Sequence, residues 1–157
     1  MFLLGIDIGS KNCGLSYIYM NNKQHINIIY FELVDWSGSN WTKKVYRSIY
    51  KYNDISPIDY IILEKQGGKR GNTKYINFIK GLFFDSYTRI IVRNPVGYKL
   101  KSNNYYNRKK ISKEVCSAII DILGNKSLKK YFHSFEKKDD ICDSINLVML
   151  YILDNYG

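Results

Sequence analysis

The sequence has 157 residues, of which 24 are Lys or Arg and 14 are Asp or Glu, so its formal net charge is +10. This length suits one domain over residues 1–157 with its own core, and a hydrophobic fraction of 45% excludes a disordered tail. The charge favours a polyanionic partner, above all nucleic acid, because binding to phosphates releases counterions.

Cysteine usage and hydropathy restrict the cellular setting. Cys13, Cys116 and Cys142 form no C-x-x-C pair, and their odd number argues against a disulfide framework or a zinc site. No stretch approaches about 18 uncharged apolar residues, and the N-terminal apolar run lacks the basic residues of a signal peptide. We therefore expect a cytoplasmic protein with reduced thiols, no membrane segment and no organic cofactor.

The first third of the chain is predicted to be mostly strand. The predicted elements are a buried strand over Phe2–Ile8, a turn over residues 9–14, and strands over Leu15–Tyr19 and Ile26–Leu33 joined by a hairpin turn over residues 20–23. Glycines in the first turn suit positive φ angles.

Helical and strand patterns alternate in the rest of the chain. The pattern predicts helices over Trp41–Tyr52, Lys74–Asp85, Ile111–Ile122 and Asp139–Asp154, and strands over Asp59–Leu63 and Arg89–Val92. Residues 99–110 are basic and tyrosine-rich and fit no element. Three strands followed by alternating helices and strands predict an α/β fold, with a mixed central sheet of about five strands flanked by helices.

Four acidic residues stand where a two-metal nuclease needs them. Asp7 and Glu64 each end an apolar run, so adjacent strands would bring both to one edge of the sheet. Asp140 and Asp143 are three apart at the start of the last helix and share a face. Converging carboxylates can hold two Mg²⁺ ions roughly 3.5–4 Å apart, which activate water and neutralise phosphate charge.

Each acid also has a simpler interpretation. Asp139 and Asp140 can cap a helix or complement its dipole, Asp7 can form a turn before Gly-Ser, and Glu64 can be a solvated strand end. Asp139 competes with Asp140 as a ligand because it lies four residues before Asp143. Glu136 is a more distant candidate. The order and placement of the four acids together favour the metal site.

Basic residues surround the candidate acids. Lys65, Lys69, Arg70 and Lys74 follow Glu64 in a loop with three glycines, where they can hold phosphates on either side of a scissile bond. A solvated surface loop is the alternative. Residues 99–110, which form a second basic stretch, and the turn over residues 9–14 supply further candidates for contact with the DNA backbone: Lys11, Lys101, Arg108 and Lys109. Tyrosines in the second stretch can stack on unpaired bases.

Three segments together resemble RuvC-type Holliday-junction resolvases of the RNase H-like superfamily. They are residues 5–14 (GIDIGSKNCG), 62–66 (ILEKQ) and 140–145 (DICDSI), and they occur in the order of the family. The length, basicity and Asn/Lys/Ile/Tyr bias look most like the poxvirus branch. The chain departs from bacterial relatives after Glu64, where they carry an aromatic residue and this chain has Gln66 and two glycines.

The resemblance implies an RNase H-like fold, a homodimer and symmetrical nicking of four-way DNA junctions with Mg²⁺ or Mn²⁺, two ions per site, to leave 5′-phosphate ends. It implies that Asp7, Glu64, Asp140 and Asp143 are metal ligands. Bacterial relatives also use lysines on the catalytic side, and Lys99 and Lys110 are the candidates for that catalytic role. For a poxvirus relative, the cytoplasm would be that of the host cell, and the task would be viral DNA recombination or concatemer processing.

Other functions fit part of the pattern. Another RNase H-like nuclease, such as a YqgF-type enzyme or one acting on RNA–DNA hybrids or general branched DNA, would use the same acids. A sugar-kinase or actin-type ATPase shares the Asp-x-Gly-Ser motif but needs a much longer chain. A non-catalytic DNA-binding module would not need all four carboxylates.

Overall fold

The structure is a computed structural model that describes residues 1–21, 25–66, 72–94 and 104–157. These residues form five strands and five helices. The strands are β1 (Phe2–Asp7), β2 (Cys13–Asn21), β3 (His25–Val34), β4 (Tyr60–Glu64) and β5 (Arg89–Arg93). The helices are α1 (Trp41–Ile55), α2 (Thr73–Leu82), α3 (Tyr105–Leu123), α4 (Lys126–Ser134) and α5 (Asp139–Tyr156).

The strands form one mixed sheet in the order β3-β2-β1-β4-β5. β2 is antiparallel to both β1 and β3, whereas β1, β4 and β5 run parallel. The predicted mixed sheet of five strands is therefore confirmed. The parallel half brings the C-terminal ends of β1 and β4 to the same edge of the sheet.

Helices cover both faces of the sheet, and strand alternation assigns each side chain to one face. Leu4 and Ile6 of β1 pack with α1 and α2, while Leu3 packs with α3, α4 and α5. In β4, Ile61 and Leu63 join the core formed with α1 and α2, and Ile62 joins the core formed with α3, α4 and α5. This division follows from strand geometry, because successive side chains of a strand point to opposite faces of the sheet.

Four parts of the structure differ from the sequence prediction. Met20 and Asn21 continue β2 rather than forming the hairpin turn, whose remaining residues lie outside the described ranges. α2 ends at Leu82, and α3 begins at Tyr105, six residues before Ile111. α4 was not predicted, since it is only nine residues long and its buried apolar pair is Leu128 and Phe132.

Side-chain caps explain where α3 and α4 begin, which the sequence did not predict. The Asn104 side chain accepts a hydrogen bond from the Tyr106 amide and begins α3, and Asn125 does the same for Leu128 in α4. Within the described ranges, no helix has the length and apolar character needed to cross a membrane.

Candidate active site

Asp7 and Glu64 are the last residues of neighbouring parallel strands. Ile6 lies opposite Leu63 in the β1–β4 register, so the residues that follow each of them are neighbours at one sheet edge. Ile6 and Leu63 face α1 and α2. By alternation, Asp7 and Glu64 point to the opposite face, which is covered by α5.

Two glycines allow α5 to approach this face closely. A Cβ atom on Gly14 would lie 1.9 Å from the Asp140 carbonyl oxygen, and one on Gly5 would lie 2.5 Å from the Ser144 carbonyl oxygen. The start of α5, with Asp140 and Asp143 one turn apart, therefore rests directly on β1 and β2. The prediction of positive φ angles for Gly9 and Gly14 in the first turn was wrong; among the described glycines, Gly38 has a positive φ.

Asp7 is the most confined of the four acids. Its side chain is buried, with 9% of the residue exposed. Burial raises the pKa of Asp7 well above its ordinary value, and repulsion from Glu64, then Asp143 and Asp140, raises that pKa further. All four predicted acids are thus close enough to act on one another electrostatically. Protonation allows Asp7 to share a hydrogen bond with Glu64.

A chain of amide side chains holds Glu64. Gln66 Nε2 donates to Glu64 Oε2 at 3.2 Å, and Asn72 Nδ2 donates to both Gln66 Oε1 and the Ile8 carbonyl at 3.2 Å. Burial raises the pKa of Glu64, and although the hydrogen bonds from Asp7 and Gln66 oppose this, the net pKa shift is upward. The chain links the ends of β1 and β4 to the start of α2.

Asp143 is engaged at both carboxylate oxygens by residues of α3. Lys109 Nζ donates to Oδ2 at 2.9 Å, and Ser112 Oγ donates to Oδ1 at 2.7 Å. Burial alone would lower the pKa of Lys109, but Asp143 and then Asp139 more than offset it and hold that pKa above its ordinary value. Lys109 therefore stays charged beside the acids.

Asp140 and Asp139 have different surroundings. Lys137 Nζ lies 3.3 Å from Asp140 Oδ2, yet this buried oxygen has no hydrogen-bond partner among the described residues, because the contact lacks hydrogen-bond geometry. Asp139 instead pairs with Lys113 at 3.3 Å and Lys109 at 3.9 Å. Asp143 and then Asp140 contribute to the raised pKa of Asp7.

The chemistry of these four carboxylates fits a hard divalent cation. Mg²⁺ and Mn²⁺ prefer oxygen ligands, and a bound cation would satisfy Asp140 Oδ2 and relieve the repulsion at Asp7. In the described part of the chain, no three His, Cys, Asp or Glu side chains are already grouped to hold a metal ion. Lys109 and Lys137 pair with Asp143 and Asp140 in this arrangement, so a metal ion would have to displace these lysines or share the carboxylates with them.

Comparison with known proteins identifies the family. The sequence profile of the poxvirus A22 protein matches residues 1–155, nearly the whole chain. The chain belongs to the poxvirus A22 family. It is 41% identical over 157 residues to the Holliday junction resolvase of fowlpox virus (strain NVSL), covering 97% of this chain and 92% of that one. It is 31% identical over 156 residues to a variola virus resolvase, covering 99% of this chain and 77% of that protein.

Solved structures agree with this membership of the A22 family. The fowlpox virus resolvase in complex with substrate Holliday junction DNA superposes with a TM-score of 0.87 at 37% identity, covering 100% of both chains. RuvC of Thermus thermophilus with a Holliday junction substrate superposes with a TM-score of 0.68 at 14% identity, covering 98% of this chain and 96% of RuvC. The second likeness establishes the RuvC-type, RNase H-like fold.

The basic candidates of this A22 family chain occupy different surroundings. Lys11, Lys65 and Lys74 are exposed, and Lys74 Nζ lies 5.0 Å from the ring centroids of both Trp41 and Tyr75. Arg108 is half-buried near the start of α3. Lys69, Arg70, Lys99 and Lys101 lie outside the described residues, so their predicted roles remain predictions.

The two neighbouring lysines of α3, for which the sequence predicted different roles, have different surroundings. Lys110, predicted to assist catalysis, has a side chain that is 76% exposed and pairs with Glu114 at 3.9 Å. Lys109, predicted only to contact the DNA backbone, contacts Asp143. A shift of one residue turns a helical side chain by about 100°, which separates the buried face of α3 from its exposed face.

Several residues of the site went unnoticed in the sequence. Lys137 contacts Asp140, Gln66 and Asn72 hold Glu64, and Ser112 holds Asp143. Lys137 could have been found because it precedes Asp140 by only three residues, just before α5 begins. Ser112 gave no such signal, since its partner is 31 residues away in sequence.

Proposed function

We propose that this chain is a structure-selective DNA endonuclease that resolves four-way junctions by paired, symmetrical nicks. Hydrolysis of the phosphodiester would leave 5′-phosphate ends. The observation that carries the proposal is the convergence of Asp7, Glu64, Asp140 and Asp143 at one sheet edge, in a chain 41% identical to a fowlpox virus Holliday junction resolvase.

The four carboxylates would hold two divalent cations, Mg²⁺ or Mn²⁺, which supply water activation and charge neutralisation when bound. Among the described residues, Lys109 is well placed to stabilise negative charge on the phosphate, because Asp143 already holds it at the acids. Gln66 would keep the Glu64 carboxylate in position as metal ions bind and leave.

Exposed lysines at the edge of the site would hold the DNA backbone. Lys11 follows the end of β1 and Lys65 follows the end of β4, so both flank the acids in sequence. Contacts of this type position phosphates without reading bases. Exposed Tyr105 and Tyr106 precede Lys109 by one turn and offer rings on which unpaired bases can stack.

Paired nicks require two active sites related by a two-fold axis, which a homodimer would provide. We place its action in viral DNA recombination or concatemer processing in the host-cell cytoplasm, as the poxvirus family suggests.

The test is cleavage of a mobile four-way junction with Mg²⁺ and with EDTA, with products mapped on all four strands. Symmetrical nicks in opposed strands, with 5′-phosphate ends, are expected only with the metal. An RNA–DNA hybrid and a linear duplex of the same sequence serve as controls. Preferred cleavage of the hybrid, or unpaired nicks on any strand, would overturn junction resolution in favour of another RNase H-like nuclease.

A further inference from the structure

A buried hydrogen-bond chain runs from α5 to α3 and back to Asp143. Asn146 Nδ2 donates to both the carbonyl oxygen and Oγ of Ser112 at 2.9 Å, and Ser112 Oγ donates to Asp143 Oδ1 at 2.7 Å. Ser112 is 5% exposed and Asn146 is 3% exposed. Water therefore has little access to compete for these bonds.

The direction of this chain follows from its chemistry. A carbonyl oxygen only accepts hydrogen bonds, so the Asn146 amide nitrogen, and not its oxygen, must face Ser112. Because Ser112 Oγ accepts from that nitrogen, its single hydrogen is directed to Asp143. Asn146 thus fixes the hydroxyl of Ser112, and Ser112 fixes one oxygen of Asp143.

The Asn146 side chain achieves this without satisfying itself. Its Oδ1 atom is buried and finds no hydrogen-bond donor in the described ranges. A buried polar atom without a partner destabilises the fold. Because an apolar side chain would avoid this destabilisation, we infer that the two hydrogen bonds donated by Asn146 have a functional role.

The other partner of Asp143 is less suited to orient it. Lys109 has a half-buried side chain and a flexible stem, and it also lies 3.9 Å from Asp139. When a divalent cation reaches the acids, this lysine must give up or share Asp143 Oδ2. Ser112 contacts the other oxygen, so its bond can persist while Oδ2 turns to a metal.

We propose that Ser112 and Asn146 are positioning residues that orient the Asp143 carboxylate for metal binding. The inference rests on the proposed function, since it takes Asp143 as a metal ligand. Partners behind a metal ligand commonly change metal affinity by about 10–100-fold when they are removed. Loss of the Ser112 hydroxyl should therefore lower the affinity for the metal ion while the protein remains folded.

The test measures Mn²⁺ binding to the protein alone, from the electron paramagnetic resonance signal of free Mn²⁺. Ser112→Ala is expected to raise the half-saturating Mn²⁺ concentration about tenfold, and Ser112→Thr, which keeps the hydroxyl, should restore most of the affinity. Asn146→Ala should give a smaller shift, and the double variant should match Ser112→Ala because the two residues act in one chain.

Ser144→Ala is the matched control. Ser144 is also buried on α5 and donates one hydrogen bond, but to the Ile141 carbonyl. It should bind Mn²⁺ like the wild type, and all variants should bind a four-way junction equally in EDTA. The positioning role is overturned if Ser112→Ala binds Mn²⁺ like the wild type, or if Ser144→Ala shifts the titration as far.

The two proposals can fail separately. A wild-type protein that cleaves junctions while Ser112→Ala binds Mn²⁺ normally would remove the positioning role alone. A wild-type protein that binds Mn²⁺ in a Ser112-dependent manner but does not cleave junctions would remove the proposed substrate and leave the positioning role intact.

Discussion

Lys109 Nζ lies 2.9 Å from Asp143 Oδ2, so one ammonium group joins the start of α3 to the start of α5 at the acidic edge of the sheet. This pair links residues 34 apart in sequence. It places a positive charge beside four carboxylates that would otherwise repel one another.

Lys109 and Lys110 give a matched pair of variants. We expect Lys109→Ala to lower the single-turnover rate of junction cleavage by about 10²–10³, because it removes a cation aimed at developing phosphate charge. Lys110→Ala breaks only an exposed pair with Glu114 and should change the rate by no more than about fivefold. A larger loss from Lys110→Ala than from Lys109→Ala would support the predicted catalytic role of Lys110.

Asp139 and Asp140 can be separated in the same way. Asp140→Asn should abolish the increase in melting temperature that Mn²⁺ produces in the wild type, because binding to the folded state alone stabilises it. Asp139→Asn should keep that increase, since Asp139 is paired with Lys113. Thermal unfolding with Mn²⁺ and with EDTA measures both. Equal loss in the two variants would contradict the preference for Asp140.

Asp7→Asn should eliminate cleavage while leaving junction binding in EDTA unchanged, because it removes a proposed ligand without adding charge. Gel-shift and cleavage assays on one junction test this. Substantial cleavage by Asp7→Asn with Mg²⁺ would refute the two-metal mechanism.

The same variant predicts a pH effect on stability. The pKa of Asp7 is raised in the folded state, so its contribution to stability is complete below its ordinary value of 3.8 and is lost as the pH rises through the folded-state pKa. In EDTA, Asp7→Asn should therefore melt a few degrees above the wild type at pH 8, and the gap should narrow toward pH 4. Exposed Asp85→Asn is the control and should show no such pH-dependent gap.

Gly14→Ala should disturb both fold and site. The added Cβ would lie 1.9 Å from the Asp140 carbonyl oxygen, so α5 must move away from β2. We expect a destabilisation of about 1–3 kcal/mol in denaturant unfolding and weaker Mn²⁺ binding. Gly81→Ala in α2 is the control, because a Cβ there meets no atom within 4 Å, and it should be neutral or slightly stabilising.

Much of the fold was predictable because local patterns and tertiary contacts agree. Apolar runs at Phe2–Asp7 and Tyr60–Glu64 form the buried strands β1 and β4. Helical spacing of apolar residues located α1 and α5. The missed elements are α4, which is only nine residues long, and the first six residues of α3, which are mostly polar, and both helices begin at the caps Asn125 and Asn104.

The sequence by itself determined the sheet-edge pair of the candidate site. Two apolar runs each end at an acidic residue, which predicts that parallel neighbouring strands would bring Asp7 and Glu64 to one edge, and the parallel pairing of β1 with β4 does so. The i, i+3 spacing likewise put Asp140 and Asp143 on one face of α5.

Only the tertiary structure decided how those acids are held. The contact of Lys109 rather than Lys110 with Asp143, the pairing of Asp139 with Lys113, and the hydrogen bonds that join Ser112 to Asp143 and Asn146 all depend on how α3 packs against α5. The close approach of α5 to the sheet depends on glycine, which has no side chain, at positions 5 and 14. These contacts join residues far apart in sequence, and a rotation of one residue along either helix would exchange their partners.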